Sequence, residues 1–176
     1  MDWYAVRVKS NFEQTVAQAL RGKGYEEFSP AYRTLRQWSD RRKVVHRPLF
    51  PGYVFCRLDV NDRLPVLTTP GAMGLVGYGN SPGPVSQEEI EGIRRILNAK
   101  LPASQWPYLP AGEKVHIIRG PLAGLEGVLV CSKNDYRLVV SVHLLQRSVA
   151  VEIDGDWIRP SHPSMGVNAD APAAGV

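Results

Sequence analysis

Four histidines and two cysteines are the side chains of this sequence best suited to metal binding or nucleophilic attack, and their spacing supports neither. His46, His116, His143 and His162 stand far apart, without a cysteine or a carboxylate pair at ligand spacing, whereas zinc sites and catalytic triads converge such groups. Cys56 and Cys131 both lie inside apolar runs, which suits small buried hydrophobes in a reducing compartment better than a disulfide framework. No enzyme, resident metal or cofactor is expected. The remaining chemistry is charge and aromatic surface. Between Arg33 and Arg47 the bases Arg33, Arg36, Arg41, Arg42, Lys43 and Arg47 face only Asp40, a density that suits either a solvated hairpin face or contact with nucleic-acid phosphates. Next comes Pro48-Leu49-Phe50-Pro51-Gly52-Tyr53-Val54-Phe55. A fixed-φ proline turn running into an aromatic strand makes a rigid apolar ledge, and Phe50, Tyr53 and Phe55 are either core residues or an anchor for another protein.

These features need elements to hold them. The chain has 176 residues, 44% of them apolar, and a net charge of +4, enough for one ordinary domain or two small ones. Ten of the bases and five of the acids fall in residues 1–50, so the surplus of positive charge belongs there. No run reaches the roughly 18–20 apolar residues of a membrane span, and the amino end lacks the plan of a signal peptide, so a cytoplasmic protein is expected; a monomer is expected as well.

Trp3 to Val8 reads as a strand. Asn11 with Gln14 resembles a capping box opening a helix on Phe12, Val16, Ala19 and Leu20, ended by Gly22 and Gly24. Glu27–Gln37 and Lys43–Arg47 form the arms of a hairpin, and Tyr53–Leu58 a strand with Tyr53 and Phe55 on one face. Ser86 caps a second helix with Glu89 in the box position and Ile90, Ile93 and Leu97 on its apolar face. Three prolines and no periodicity mark 98–111 as a linker. Short apolar runs from Val115 to Ile153, bounded by turns, indicate a small β-barrel over 112–160, and 161–176 is expected to be disordered. The fold class is α+β.

The glycines of Gly112-Glu113-Lys114-Val115-His116-Ile117-Ile118-Arg119-Gly120-Pro121-Leu122-Ala123-Gly124-Leu125-Glu126-Gly127 add a strand, a glycine-rich turn and a second strand. Together with Trp3-Tyr4-Ala5-Val6, Phe50-Pro51-Gly52-Tyr53 and Thr69-Pro70-Gly71 to Val76-Gly77, in this order, they make the sequence resemble the NusG family of transcription elongation factors. Residues 1–97 are similar to its NGN domain, a split β-α-β sandwich, and 112–160 to its SH3-like KOW barrel. Leu144-Leu145-Gln146-Arg147-Ser148-Val149 is closer to the specialised RfaH and UpxY kind than to the general factor.

The resemblance implies docking on the clamp helices of the RNA polymerase largest subunit through Phe50, Pro51, Tyr53 and Phe55, with Trp3 as core support and Arg7 where the RfaH kind has an aromatic contact. It implies clamp closure and suppressed pausing or termination, an antiterminator's role. Lys9, Arg21, Arg36, Arg41, Arg42 and Lys43 would meet phosphates of upstream or non-template DNA. Leu122, Leu125, Leu145, Gln146 and Arg147 of the KOW domain would bind a ribosomal protein of the small subunit or the helicase Rho, although Leu122 and Leu125 could equally cap the barrel core. The alternative function is an RNA-binding or protein-adaptor module working without polymerase.

Overall fold

The computed structural model describes residues 1–38, 41–109, 112–132 and 135–161, without the side chains of 35–38, 41 and 132. The hairpin tip at Ser39 and Asp40, the side chains of Arg36 and Arg41, and the tail from 162 lie outside it. Ser161, counted with the tail from sequence, donates its N–H to Lys114 O at 3.0 Å.

The first half builds an antiparallel sheet around β1 (Asp2–Val8). After α1 (Glu13–Gly22) come β2 (Glu26–Phe28), the hairpin strands β3 (Ala31–Trp38) and β4 (Arg41–Pro48), and β5 (Tyr53–Leu58). The short helix α2 (Leu64–Leu67) precedes β6 (Ala72–Leu75), the pair β7 (Gly77–Tyr78) and β8 (Ser81–Pro82), and β9 (Pro84–Val85). The order is β2-β5-β1-β6, with β9 pairing the beginning of β1. β1 is central, and its apolar residues fill both faces. Tyr4, Val6 and Val8 pack with Val54, Cys56 and Leu58 of β5 against Val16, Ala17 and Leu20 of α1. Trp3, Ala5 and Phe55 point the other way, toward α3 (Gln87–Asn98). Strand alternation thus divides one ladder between two cores.

The two helices begin differently. Ser86 Oγ accepts from Glu89 N and Glu89 Oε2 accepts from Ser86 N, both at 3.2 Å, the reciprocal box expected from sequence. At α1 the cap is Phe12, which makes no side-chain cap bond, and Asn11 instead turns the chain at φ 65°. A residue that tolerates the left-handed region serves there as a corner rather than a cap. The hairpin also differs from expectation, because Glu27 and Phe28 belong to β2 and pair with β5. Among the described residues β3 and β4 pair only with each other, from Ala31↔Pro48 to Trp38↔Arg41.

The second half holds β10 (Ala103–Trp106), β11 (Glu113–Ile117), β12 (Glu126–Ser132), β13 (Asp135–Val142), β14 (Arg147–Ile153) and β15 (Ile158–Pro160). Their order is β10-β14-β13-β12-β11-β15, an all-antiparallel barrel sheet. Val115, Ile117, Leu122, Leu138, Val149 and Val151 fill its interior. β10 lies inside the stretch expected to be a linker. Four residues between Pro102 and Pro107 are too few to show a period of two, and the prolines bracket the strand instead of interrupting it.

Candidate interaction site: an aromatic ledge under the barrel

The ledge is held by backbone bonds on three sides. Leu49 N–H reaches Pro30 O at 2.8 Å, Val8 N–H reaches Gly52 O at 2.9 Å, and Tyr53 N–H reaches Phe50 O at 3.1 Å. Gly52 sits at φ 84°, in the left-handed region open to glycine, and its N–H donates to Glu13 Oε1 at 2.8 Å. That bond accounts for the otherwise odd burial of a carboxylate, Glu13 being 6% exposed. Phe50 and Phe55 meet edge to face with centroids 5.3 Å apart, and Phe28 lies 6.2 Å from Phe55.

Phe50 and Phe55 are buried to 1% and 0% exposure, while Pro51 and Tyr53 are half-buried. The barrel contributes to this cover. The Arg147 guanidinium lies over the Tyr53 ring at 5.2 Å, a cation–π contact. Gln105 Nε2 donates to Pro48 O at 2.9 Å. His143 N–H donates to Glu89 Oε1 at 3.0 Å, and His143 Nδ1 lies equally close to the same oxygen. Arg95 donates to Ala123 O. At the centre, Gly92 of α3 faces the barrel, where a Cβ would stand 3.4 Å from both Leu125 Cδ1 and Val140 Cγ1. One cluster of buried side chains therefore runs from Trp3, Phe50 and Ile93 into Leu125 and Val140.

A second cluster braces the ledge from behind. Arg94 pairs with Glu26 at 3.0 Å and Glu91 at 3.1 Å, and stacks over Trp3 at 5.1 Å and Phe28 at 5.2 Å. Arg94, helped by Arg57, holds the Glu26 carboxyl below the usual carboxylate range. Trp3 Nε1 donates to Gln87 Oε1 at 2.9 Å, which places Trp3 as a support. On the opposite face, burial pushes the Cys56 thiol up to about 12, so this cysteine stays neutral and packs as a hydrophobe.

The residues singled out from sequence divide as follows. Phe50, Pro51, Tyr53 and Phe55 come together, and Arg147 joins them from the barrel. Leu122 is fully buried and Leu125 is 7% exposed against α3, whereas Leu145 is half-buried and Gln146 exposed at φ 48°. Lys9, Arg42 and Lys43 are exposed on the β1 and hairpin side, and Arg33, His46 and Arg47 share that exposure. Arg21 is tied to Glu27, and Lys23 is held by Pro65 O at 2.7 Å and Thr69 Oγ1 at 2.8 Å. Sequence reasoning named no residue on the exposed apolar group Leu64, Met73 and Tyr78, which are 68%, 55% and 76% exposed. They lie in separate short elements without a shared period. Among the described residues, no group of three or more His, Cys, Asp or Glu is placed to hold a metal ion, and no helix is long and apolar enough to cross a membrane.

Residues 1–94 match the family model described as transcription termination factor NusG. The chain belongs to the NusG family. Curated NusG relatives, each named a transcription termination/antitermination protein, match along most of their length. That of Pasteurella multocida is 31% identical over 86% of this chain and 91% of its own. The Vibrio vulnificus protein is 33% identical over the same shares. The Thermus thermophilus protein is 27% identical over 88% of this chain and 95% of its own. A solved structure described as domain interaction in Thermotoga maritima NusG covers 92% of this chain and 97% of its own, with a TM-score of 0.51 at 23% identity, a likeness of fold. This chain is therefore a NusG-family transcription factor, with an NGN-like sheet followed by a KOW-like barrel.

Proposed function

We propose that this protein binds RNA polymerase through the ledge, stabilises the closed clamp and suppresses pausing or termination, as a specialised antiterminator. The observation that carries this reading is the ledge itself. Tyr53 and Phe55 on β5, with Phe50 in the turn before it, form a preorganised aromatic cluster, and a few such side chains desolvated in a groove can dominate an interface. The barrel meets the ledge at Tyr53 and Pro48 through polar contacts, of the kind a competing partner can replace. Closing a two-state partner needs only differential affinity for the closed state, so no catalytic group is required.

In the same reading, Lys9, Arg42 and Lys43 approach DNA phosphates beside the cleft, together with Arg36 and Arg41. Leu145, Gln146 and Arg147 serve a ribosomal protein or Rho once the barrel has left the ledge. The specialised role rests on Leu144 to Val149.

Retention of the full chain on core RNA polymerase tests the proposal. Tyr53→Ala is expected to weaken retention by about tenfold or more, on the order of 2 kcal/mol, whereas Arg147→Ala removes part of the cover and strengthens it. Equal retention of all three proteins overturns the ledge as the docking face. Steep loss with added salt, independent of Tyr53, would favour the nucleic-acid reading.

A further inference from the structure

The connection between α3 and the barrel does more than join them. Fourteen residues, 99–112, separate the end of α3 from the start of β11. Of these, Ala103 to Trp106 are zipped antiparallel onto β14, from Ala103↔Val151 to Trp106↔Ser148. The pairing extends beyond the strand at both ends. Pro102 O accepts from Glu152 N at 3.1 Å, and Leu109 N–H donates to Ser148 Oγ at 3.3 Å, itself 2.7 Å from Ser141 Oγ. Trp106 lies beneath the Arg137 guanidinium at 5.3 Å. The Gln105 side chain reaches across to Pro48 O, next to the ledge. One short segment thus grips both halves of the molecule.

We propose that β10 is an autoinhibitory strap: zipped onto the edge of β14, it shortens the tether and holds the barrel over the ledge, and unzipping it frees the barrel to leave. The role of the ledge in this statement rests on the function proposed above. With β10 in place only Ala99 to Pro102 connect α3 to the barrel sheet. At about 3.5 Å per extended residue, four residues span about 14 Å and fourteen about 50 Å. A barrel on the short tether that lets go of α3 stays within reach and rebinds, because the effective concentration falls steeply as the tether lengthens. The strap is also built to release. It is four residues long with Ser104 and Gln105 in its middle, so its ladder bonds are few.

The test uses the full chain. Ser104→Pro with Gln105→Pro removes at least one ladder N–H whichever residue of the pair points toward β14. Amide ¹⁵N relaxation reports whether the two halves tumble together, and hydrogen exchange reports on Ser148 to Val151. In the parent the halves tumble as one body. In the double-proline variant the barrel keeps its dispersed spectrum, tumbles separately, loses protection along β14 and is retained more strongly by polymerase. A locked variant, Ser104→Cys with Ala150→Cys and Cys131→Ser, places its cysteines directly opposite on neighbouring strands. Its oxidised form tumbles as one body and is retained less, and reduction restores the parent behaviour. One-body tumbling of the double-proline variant overturns the strap, as does separate tumbling of the oxidised locked form. If tumbling follows the strap while no form binds polymerase, the strap stands and the polymerase reading falls.

Discussion

The two faces of the amino-terminal sheet are buried equally and for different reasons. Val54 and Phe55 are adjacent on β5 and both 0% exposed. Val54 is covered by α1, which follows β1 directly in sequence and packs Val16, Ala17 and Leu20 on it, with Glu13 and Arg21 bonded at its rim to Gly52 and Glu27. Phe55 faces α3 and the cluster that continues into a barrel more than fifty residues further along, whose rim carries Arg147, His143 and Gln105. What differs is the cover: on one face a helix that directly follows β1, on the other α3 and a barrel that comes later in the chain.

The contrast can be broken from either side. The largest effect is expected on the α1 face, where Leu20→Ala should cost about 2–5 kcal/mol in chemical denaturation, the range for truncating a fully buried leucine, without changing how the halves tumble. Gly92→Gln should do the reverse. A Cβ there would already touch Leu125 and Val140 at 3.4 Å, so a longer polar side chain should wedge this contact open: the halves should separate in ¹⁵N relaxation while the amino-terminal sheet unfolds at nearly the parent denaturant concentration. The smallest effect concerns Arg94. The folded-state pKa of Glu26 is lowered chiefly by Arg94, so its stabilising share is present above the ordinary carboxylate pKa and is lost as pH falls through the lowered one. Arg94→Gln should flatten that acid-side decline in melting temperature, and because Glu26 is nearly half exposed the change should be modest and further reduced by salt.

Much of this was legible in the sequence because its causes are local. The Ser86–Glu89 box, the alternation that puts Tyr53 and Phe55 on one face, and the turn-bounded apolar runs of the barrel each depend on residues a few positions apart. The ledge was readable only as an apolar aromatic segment with two possible uses. What decides its cover is Arg147 meeting Tyr53 and Gly92 meeting Val140, pairs so far apart in sequence that no periodicity records them. Lys23 is held by Pro65 and Thr69, partners some forty residues on that no local pattern records. Asn11 matched a capping pattern by type and spacing, yet its backbone settled at φ 65° and left the cap to Phe12. β10 escaped notice because four residues flanked by prolines read as a spacer until an unpaired edge is there to receive them.

The position of β1 bears on how the protein is made. Residues 2–8 are apolar on both faces and lie between β5 and β6, which begin at Tyr53 and Ala72. At roughly 5–20 residues per second of synthesis, β1 waits several seconds for its partners. Over that interval α1 can cover one side of it at most. The other side, with Trp3 and Ala5, is unprotected until α3 emerges, so the first strand of the sheet is the last to be fully covered.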